Sequence, residues 1–340
     1  MPVKNTDILV IRNDKIGDFI LILPAISWIK KNIPQAKITC IVSKEVSPLA
    51  KHCKNIDNIL VDTSIKELIK ELNKLSFDIS ISFFSTFRIG YILKKINIPI
   101  RIAPKTKLAQ FFYTHRILQK RSKSKKPEYE YNIDLVDEMF QIIQLKNIEN
   151  IDGTPYLSLD YEESIKHRKS FIEKYKLNEN KKIIFIHPST GGSSKGLSID
   201  LYANICKGLR KFDDYNFMIH TSKHDIKIAK RLIDEAKTDV SIKMIDTTDD
   251  LSEMVSNINI CDIFMAGSTG PLHIAGALNK KTVAFYPKKK SSTSLRWETI
   301  NDFKKRLSFS DINKSKKYIT IEFKKTLLEI QKFIGSDDIV

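Results

Sequence analysis

The sequence predicts an α/β protein of two domains, each a parallel sheet wrapped by helices, on three grounds. Short β-rich apolar runs alternate with segments of helical length over residues 8–95 and again over 182–286. Such alternation builds parallel sheets with helices on both faces. A polar stretch with Gly153 and Pro155 interrupts the pattern midway, and 340 residues suit two domains. The domains are expected at residues 1–155 and 156–318, with a final helical segment in 319–340.

In the first half, residues 8–11 read as a strand and Arg12-Asn13-Asp14-Lys15-Ile16-Gly17-Asp18 as a polar loop. Residues 19–31 read as one apolar helix, ended by Asn32 and Pro34. Strands follow at 37–42, 58–61 and 78–84, with helices at 47–52, 64–75 (capped by Ser64) and 86–95. Residues 104–127 break the alternation. This stretch carries Lys105, Lys107, His115, Arg116, Lys120, Arg121, Lys123, Lys125 and Lys126 among Phe111, Phe112 and Tyr113, with no acid. It is a solvated loop or, given its length and aromatics, a binding loop. A helix over 128–145 closes the half.

In the second half, helices are expected at 162–175, 199–211, 224–236 and 252–258, and strands at 182–186, 216–220, 241–245, 263–265 and 282–286. The last helix spans about 319–333. After the strand at 263–265 come Gly267-Ser268-Thr269-Gly270-Pro271-Leu272-His273. Ser268 or Thr269 can cap a helix there, and Pro271 suits its first turn. Such a turn is either an ordinary polar cap or an anion site at a helix N-terminus, with His273 as a further donor.

The net charge of +17 favours nucleic acid, an anionic membrane or an anionic substrate. Cys40, Cys53, Cys206 and Cys261 show no paired metal spacing, and a reducing compartment is expected. The longest apolar run, 19–29, contains Pro24 and is too short to span a bilayer. A cytoplasmic protein with at most peripheral membrane contact is therefore expected. Walker, serine-hydrolase, zinc-protease and dinucleotide signatures are missing, and no nucleic-acid-binding motif supports the charge. The acid pairs Asp213-Asp214 and Asp249-Asp250 read as helix caps, and no metal site is expected.

Ligands of doubly wound sheets bind outside the carboxyl ends of the strands. Three loops meet that rule: 12–18, 187–196 and 266–270. Asp18 is a helix cap or, with a hydroxyl in reach, a general base. The second loop, His187-Pro188-Ser189-Thr190-Gly191-Gly192-Ser193-Ser194-Lys195-Gly196, suits a diphosphate through its small residues and one lysine.

Together these loops resemble the signatures of the heptosyltransferase family of glycosyltransferases, family 9. Val10 to Asp18 followed by Leu23-Pro24-Ala25 resembles the first signature, His187-Pro188-Ser189 through Ser198 the second, and Ser268 to Leu278 the third. Asp250-Leu251-Ser252-Glu253-Met254 resembles the stretch that precedes the third. The resemblance implies a GT-B fold: two Rossmann-like domains facing a central cleft, with the C-terminal helix (319–340) crossing back to the first. It implies an inverting, metal-independent enzyme that needs no cofactor beyond its nucleotide-sugar co-substrate, ADP-heptose. The acceptor is the lipopolysaccharide inner core, at the cytoplasmic face of the inner membrane, and no nucleic acid partner is expected. By this resemblance Asp18 is the base and Lys195 contacts the donor phosphates. Ser189, Thr190, Gly191, Ser268, Thr269, Gly270, Pro271, Leu272, His273 and, on a looser alignment, Asp225 bind the donor. Lys15, Arg116, Lys120, Arg121 and Lys123 are the acceptor-binding candidates. The family's third motif usually begins with Asp where this chain has Ser268, which bears on the donor sugar. The alternatives are transfer of a different nucleotide sugar, or a non-catalytic basic protein that binds nucleotide or nucleic acid.

Overall fold

Apolar runs flanked by small polar turns become the strands of two all-parallel sheets. A computed structural model of the chain describes residues 6–336, apart from 107, 152, 193, 238–239, 249 and 314–316. Lys107, Ser193 and Asp249, singled out above, lie outside the described residues. The chain divides into two compact units, Met1–Ser158 and Leu159–Val340, close to the boundary that Gly153 and Pro155 suggest.

The first unit holds β1 (Asp7–Ile11), β2 (Lys37–Val42), β3 (Asn58–Val61), β4 (Ile79–Ser82), β5 (Ile100–Pro104) and β6 (His115–Ile117). Their order is β3-β2-β1-β4-β5-β6, and Val10 of β1 pairs in register with Cys40 on one side and Ile81 on the other. Helices α1 (Ile16–Ile20), α2 (Leu23–Asn32), α3 (Ser47–Ala50), α4 (Ile65–Leu72), α5 (Phe87–Lys95) and α6 (Glu128–Ile142) connect them. The second unit holds β7 (Ile183–His187), β8 (Asn216–Ile219), β9 (Ile242–Met244), β10 (Ile263–Gly267), β11 (Lys281–Tyr286) and β12 (Arg306–Ser310), ordered β12-β11-β10-β7-β8-β9. Its helices are α7 (Tyr161–Lys174), α8 (Ile199–Arg210), α9 (Ile226–Ala236), α10 (Leu251–Ile260), α11 (Gly270–Ala277) and α12 (Phe323–Gly335).

Counted from its own first strand, each sheet has the doubly wound order 3-2-1-4-5-6. The connections reverse direction between β1 and β4, and between β7 and β10. Loops leaving those strands border the crevice where such sheets take ligands. The central strands are buried on both faces, which explains their continuous apolar sequence in Ile8–Ile11 and Ile183–Ile186.

Capping matches the sequence where a short polar side chain precedes the helix. Ser64 Oγ accepts from Glu67 N at 3.3 Å, and Asp250 Oδ1 from Ser252 N at 2.8 Å. Three expectations change. The single helix over 19–31 is two, α1 and α2, because Pro24 cannot continue a helix and sits in the first turn of a new one. The basic stretch holds one short strand, β6, and a second, β5, runs up to its start; both are hidden in the sequence by Pro99, Pro104 and frequent lysine. The strand β12 was not expected, since its alternating polar residues follow Lys304 and Lys305.

The C-terminal helix is also corrected. Expected on the first domain, α12 buries Thr326, Ile330 and Ile334 in the second unit, against α8 and β12. Its stripe at four-residue spacing needs an apolar floor, and Gly208 supplies the room: a Cβ there would come within 2.4 Å of Leu327. Lys182 Nζ reaches the carbonyl of Ile334 at 2.9 Å and Lys281 Nζ that of Phe333 at 3.3 Å, placing positive charge at the helix C-terminus.

All four cysteines are free, buried thiols. Among the described residues no helix is long and apolar enough to cross a membrane.

Ile330→Ala should lower the stability of the second unit by about 2–5 kcal/mol in urea unfolding, the usual cost of such a truncation in a packed core. A loss below about 0.5 kcal/mol would show that α12 does not belong to that core.

Candidate functional site

In the first unit, β1 runs straight into Arg12, which is 3% exposed. Its guanidinium grips Asp14 through Nε at 2.7 Å and Nη2 at 2.9 Å, and Nη2 also donates to Asp18 Oδ1. Nη1 reaches across to the carbonyl of Phe83, just past β4, at 3.2 Å. One side chain thus spans both strands of the switch point. Asn13 Nδ2 donates to Asp62 at 2.7 Å, and Arg88 pairs with the same carboxylate at 2.7 Å, tying in the loops after β3 and β4.

Asp18 is not the helix cap. Lys15 occupies that position, exposed and with no side-chain capping bond, and Asp18 lies inside the first turn. Burial pushes its carboxyl up to about 6; Arg12 opposes the rise, while Asp14 and Glu128 add to it. A carboxylate with this value is a competent proton acceptor near neutral pH.

In the second unit, the loop after β7 is folded on itself. Gly191 and Gly192 take positive φ, Gly191 N donates to Ser189 Oγ at 3.1 Å, and Thr190 Oγ1 donates to Ser194 O at 2.7 Å. Ser189, Thr190, Gly191, Lys195 and Asp225 line one cavity of about 520 Å³. Three cations not foreseen in the sequence, Lys227, Arg231 and Lys317, share it. Lys195 Nζ pairs with Asp311 at 2.7 Å, and Asp311 is itself held by the N–H groups of Thr320 at 3.0 Å and Asn313 at 3.3 Å. Asp311 follows β12, so missing that strand meant missing this partner.

The third motif stands beside this cavity rather than lining it. A Cβ on Gly267 would come within 3.2 Å of the Thr190 methyl, so the two loops touch through that glycine. Of the two candidate caps it is Thr269 that caps α11: its Oγ1 accepts weakly from Leu272 N at 3.5 Å, and its carbonyl from His273 N at 3.3 Å. Leu272 and His273 are buried, while Ser268, Gly270 and Pro271 are partly exposed. His273 is therefore not a charged donor at the surface. Burial lowers its pKa to about 4, and its Nδ1 has no hydrogen-bond partner among the described residues. Two further histidines lie under the second loop: His187 Nδ1 sits 2.8 Å from His220 O, and burial keeps both rings neutral.

The basic stretch divides. Arg116, Lys120 and Lys123 are exposed. Arg121 is not available in the same way: it pairs with buried Glu128 at 2.5 Å and reaches Asn132 at 3.3 Å. Asn132 in turn donates to Leu21 O at 2.8 Å, in the break between α1 and α2. Arg121 thus supports the backbone behind Asp18. Lys126 pairs with Asp134 at 2.6 Å.

The family model of glycosyltransferase family 9 (heptosyltransferase) matches residues 65–325. Over 309 residues the chain is 37% identical to a Haemophilus influenzae protein provisionally named a glycosyltransferase, covering 89% of this chain and 88% of that one. A family 9 glycosyltransferase structure from Veillonella parvula superposes with a TM-score of 0.81 at 16% identity, over 98% of each chain. Escherichia coli ADP-heptose lipopolysaccharide heptosyltransferase II superposes with a TM-score of 0.75 at 17% identity, over 97% of this chain and 98% of that one. These likenesses establish the fold as GT-B.

Arg12 favours the charged form of Asp18, so Arg12→Met should raise the Asp18 pKa above about 6, read by carboxyl carbon NMR titration. An unchanged or lower value would mean that the Arg12–Asp18 contact does not persist in solution.

Proposed function

Because this chain belongs to glycosyltransferase family 9, the heptosyltransferase family, we propose that it moves a heptose or similar sugar from a nucleotide diphosphate donor, ADP-heptose, to the inner core of lipopolysaccharide or lipooligosaccharide. It acts at the cytoplasmic face of the inner membrane. Membership in an enzyme family replaces the non-catalytic nucleic-acid-binding alternative.

The reading is carried by Asp18, a partly buried carboxylate with its pKa at about 6 beside a fixed guanidinium. The acceptor hydroxyl oxygen attacks the anomeric carbon on the face opposite the leaving group. Its proton passes to Asp18 as the new C–O bond forms. The bond from the anomeric carbon to the diphosphate breaks, and the sugar arrives inverted. The departing nucleoside diphosphate is stabilised by Lys195, with Lys227 and Arg231 in the same cavity and the first turn of α11 beside it. No metal ion has a step in this scheme.

Asp311 adds a condition on Lys195. In the ion pair its charge is neutralised, and a phosphate must compete with Asp311 for the ammonium. Ser268, in place of the family's usual Asp, presents a neutral hydroxyl where a carboxylate would accept sugar hydroxyls. A panel of nucleotide sugars, scored by nucleoside diphosphate release onto truncated core glycolipid, reads donor choice directly.

Asp18→Asn keeps shape and removes basicity. It should bind donor normally and lower kcat by about 10²–10⁴, the usual worth of a general base. In the wild type the ionised form is active, so kcat should fall as pH drops below about 6, and this limb should vanish in the Asn variant. Wild-type turnover by Asp18→Asn would dismiss it as the base. Lys195→Ala should raise the donor KM about tenfold or more, and turnover should survive excess EDTA. Metal-restored loss of activity would overturn the metal-free scheme.

A further inference from the structure

The strongest charge asymmetry of the molecule lies in one continuous part of the first unit. Between residues 79 and 127 the sequence has twelve Lys and Arg and no Asp or Glu, in a chain of net charge +17. The same stretch presents apolar side chains to water. On α5, Phe87 is 61% exposed, and Tyr91, one turn further on, is exposed beside it. The 3₁₀ helix Leu108–Phe112 packs against α5. The Phe112 ring meets Phe87 edge-on at 4.8 Å and Tyr91 at 6.5 Å. Gly90 permits this approach, since a Cβ there would stand 2.8 Å from Phe112 Cβ. Three residues per turn put Leu108 and Phe111 on one side of the 3₁₀ helix, each 69% exposed.

Four large apolar side chains on two helices, set by one shared ring, form a surface shaped for apolar contact. Its rim is cationic. Lys94, Lys95 and Lys105 are exposed, and among the described residues none of them forms an ion pair. The acids of neighbouring α4 are engaged: Glu67 by Ser64 Oγ at 2.9 Å, and Glu71 by Lys74 at 2.8 Å. Phe84, also exposed, has the Arg12 guanidinium 5.8 Å from its ring.

We propose that the surface formed by α5 and the 3₁₀ helix Leu108–Phe112 docks on an anionic lipid bilayer. Phe87, Tyr91, Leu108 and Phe111 enter the boundary between headgroups and acyl chains, and the lysines of the rim lie among the headgroup phosphates. A second copy of the chain would bring two faces of the same sign together. A single-stranded nucleic acid would use stacked rings and gain little from Leu108. The proposal rests on the reading above for its purpose, which is to bring a lipid-borne acceptor to the unit that carries Asp18.

Flotation of the full chain with vesicles tests it. Partition should be at least about tenfold stronger onto vesicles containing phosphatidylglycerol than onto phosphatidylcholine alone, and should weaken in high salt. The triple variant Phe87→Ser, Leu108→Ser, Phe111→Ser should bind about tenfold or more weakly, with its Tm and its turnover of a water-soluble core oligosaccharide unchanged. Should the triple variant lose its fold, Phe111→Ser alone is read against the wild type, again with weaker binding expected. Equal binding by variant and wild type, indifference to lipid charge, or a dimer in sedimentation equilibrium that the variant abolishes would each overturn the proposal. Failure to transfer any sugar to the soluble acceptor would overturn the functional reading and leave vesicle binding untouched. Transfer without vesicle binding would do the reverse.

Discussion

Everything in the first unit's candidate site depends on where the guanidinium of Arg12 is held. It leaves β1 into a buried position, binds Asp14 with two nitrogens, touches Asp18, and takes the carbonyl past β4. A buried cation needs such partners, because removing it from water costs several kcal/mol. Burial disfavours the charged form of Asp18 most; Arg12 opposes this, and the neighbouring carboxylates of Asp14 and Glu128 add to it. The consequence falls on Asp18, which holds its proton up to about pH 6. The same arrangement fixes the carboxylate in place and tunes its basicity.

The second unit repeats the device with different residues. Its sheet has the same strand order, so its ligand loops also leave the strands on either side of a switch point. There the cation is Lys195 and the buried anion Asp311, a single carboxylate steadied by backbone N–H groups. Lysine is a flexible point charge, and its ion pair can be exchanged for a phosphate more readily than a bidentate arginine contact can. The histidines nearby do not contribute charge. His187, His220 and His273 are buried, and burial holds each neutral.

Positive charge in the first unit serves more than one purpose. Arg121 and Lys126 are neutralised by Glu128 and Asp134, and Arg121 supports the helix break behind Asp18 through Asn132. Lys94, Lys95 and Lys105 are instead left in water around exposed aromatics. A net charge counts these groups equally. Only their partners separate the cations that hold the fold from those that face a ligand or a surface.

The sequence by itself determined the α/β class, most of the strands and the place of three loops at strand ends, because each rests on local signals. Apolar runs of strand length, Pro271 near a helix start, and Gly and Ser after β7 act over a few residues. It also singled out Asp18 and Lys195 by their place in those loops. Tertiary structure decided what local signals cannot carry. Edge strands β6 and β12 lack continuous apolar sequence because one side of each has no neighbour to pair with. The seat of α12 depends on a gap at Gly208, far away in sequence. The partner of Lys195 lies more than one hundred residues downstream, and whether Arg121 is free or bound depends on Glu128 folding back beneath it. Burial and pairing are properties of surroundings, and the surroundings exist only once the chain has folded.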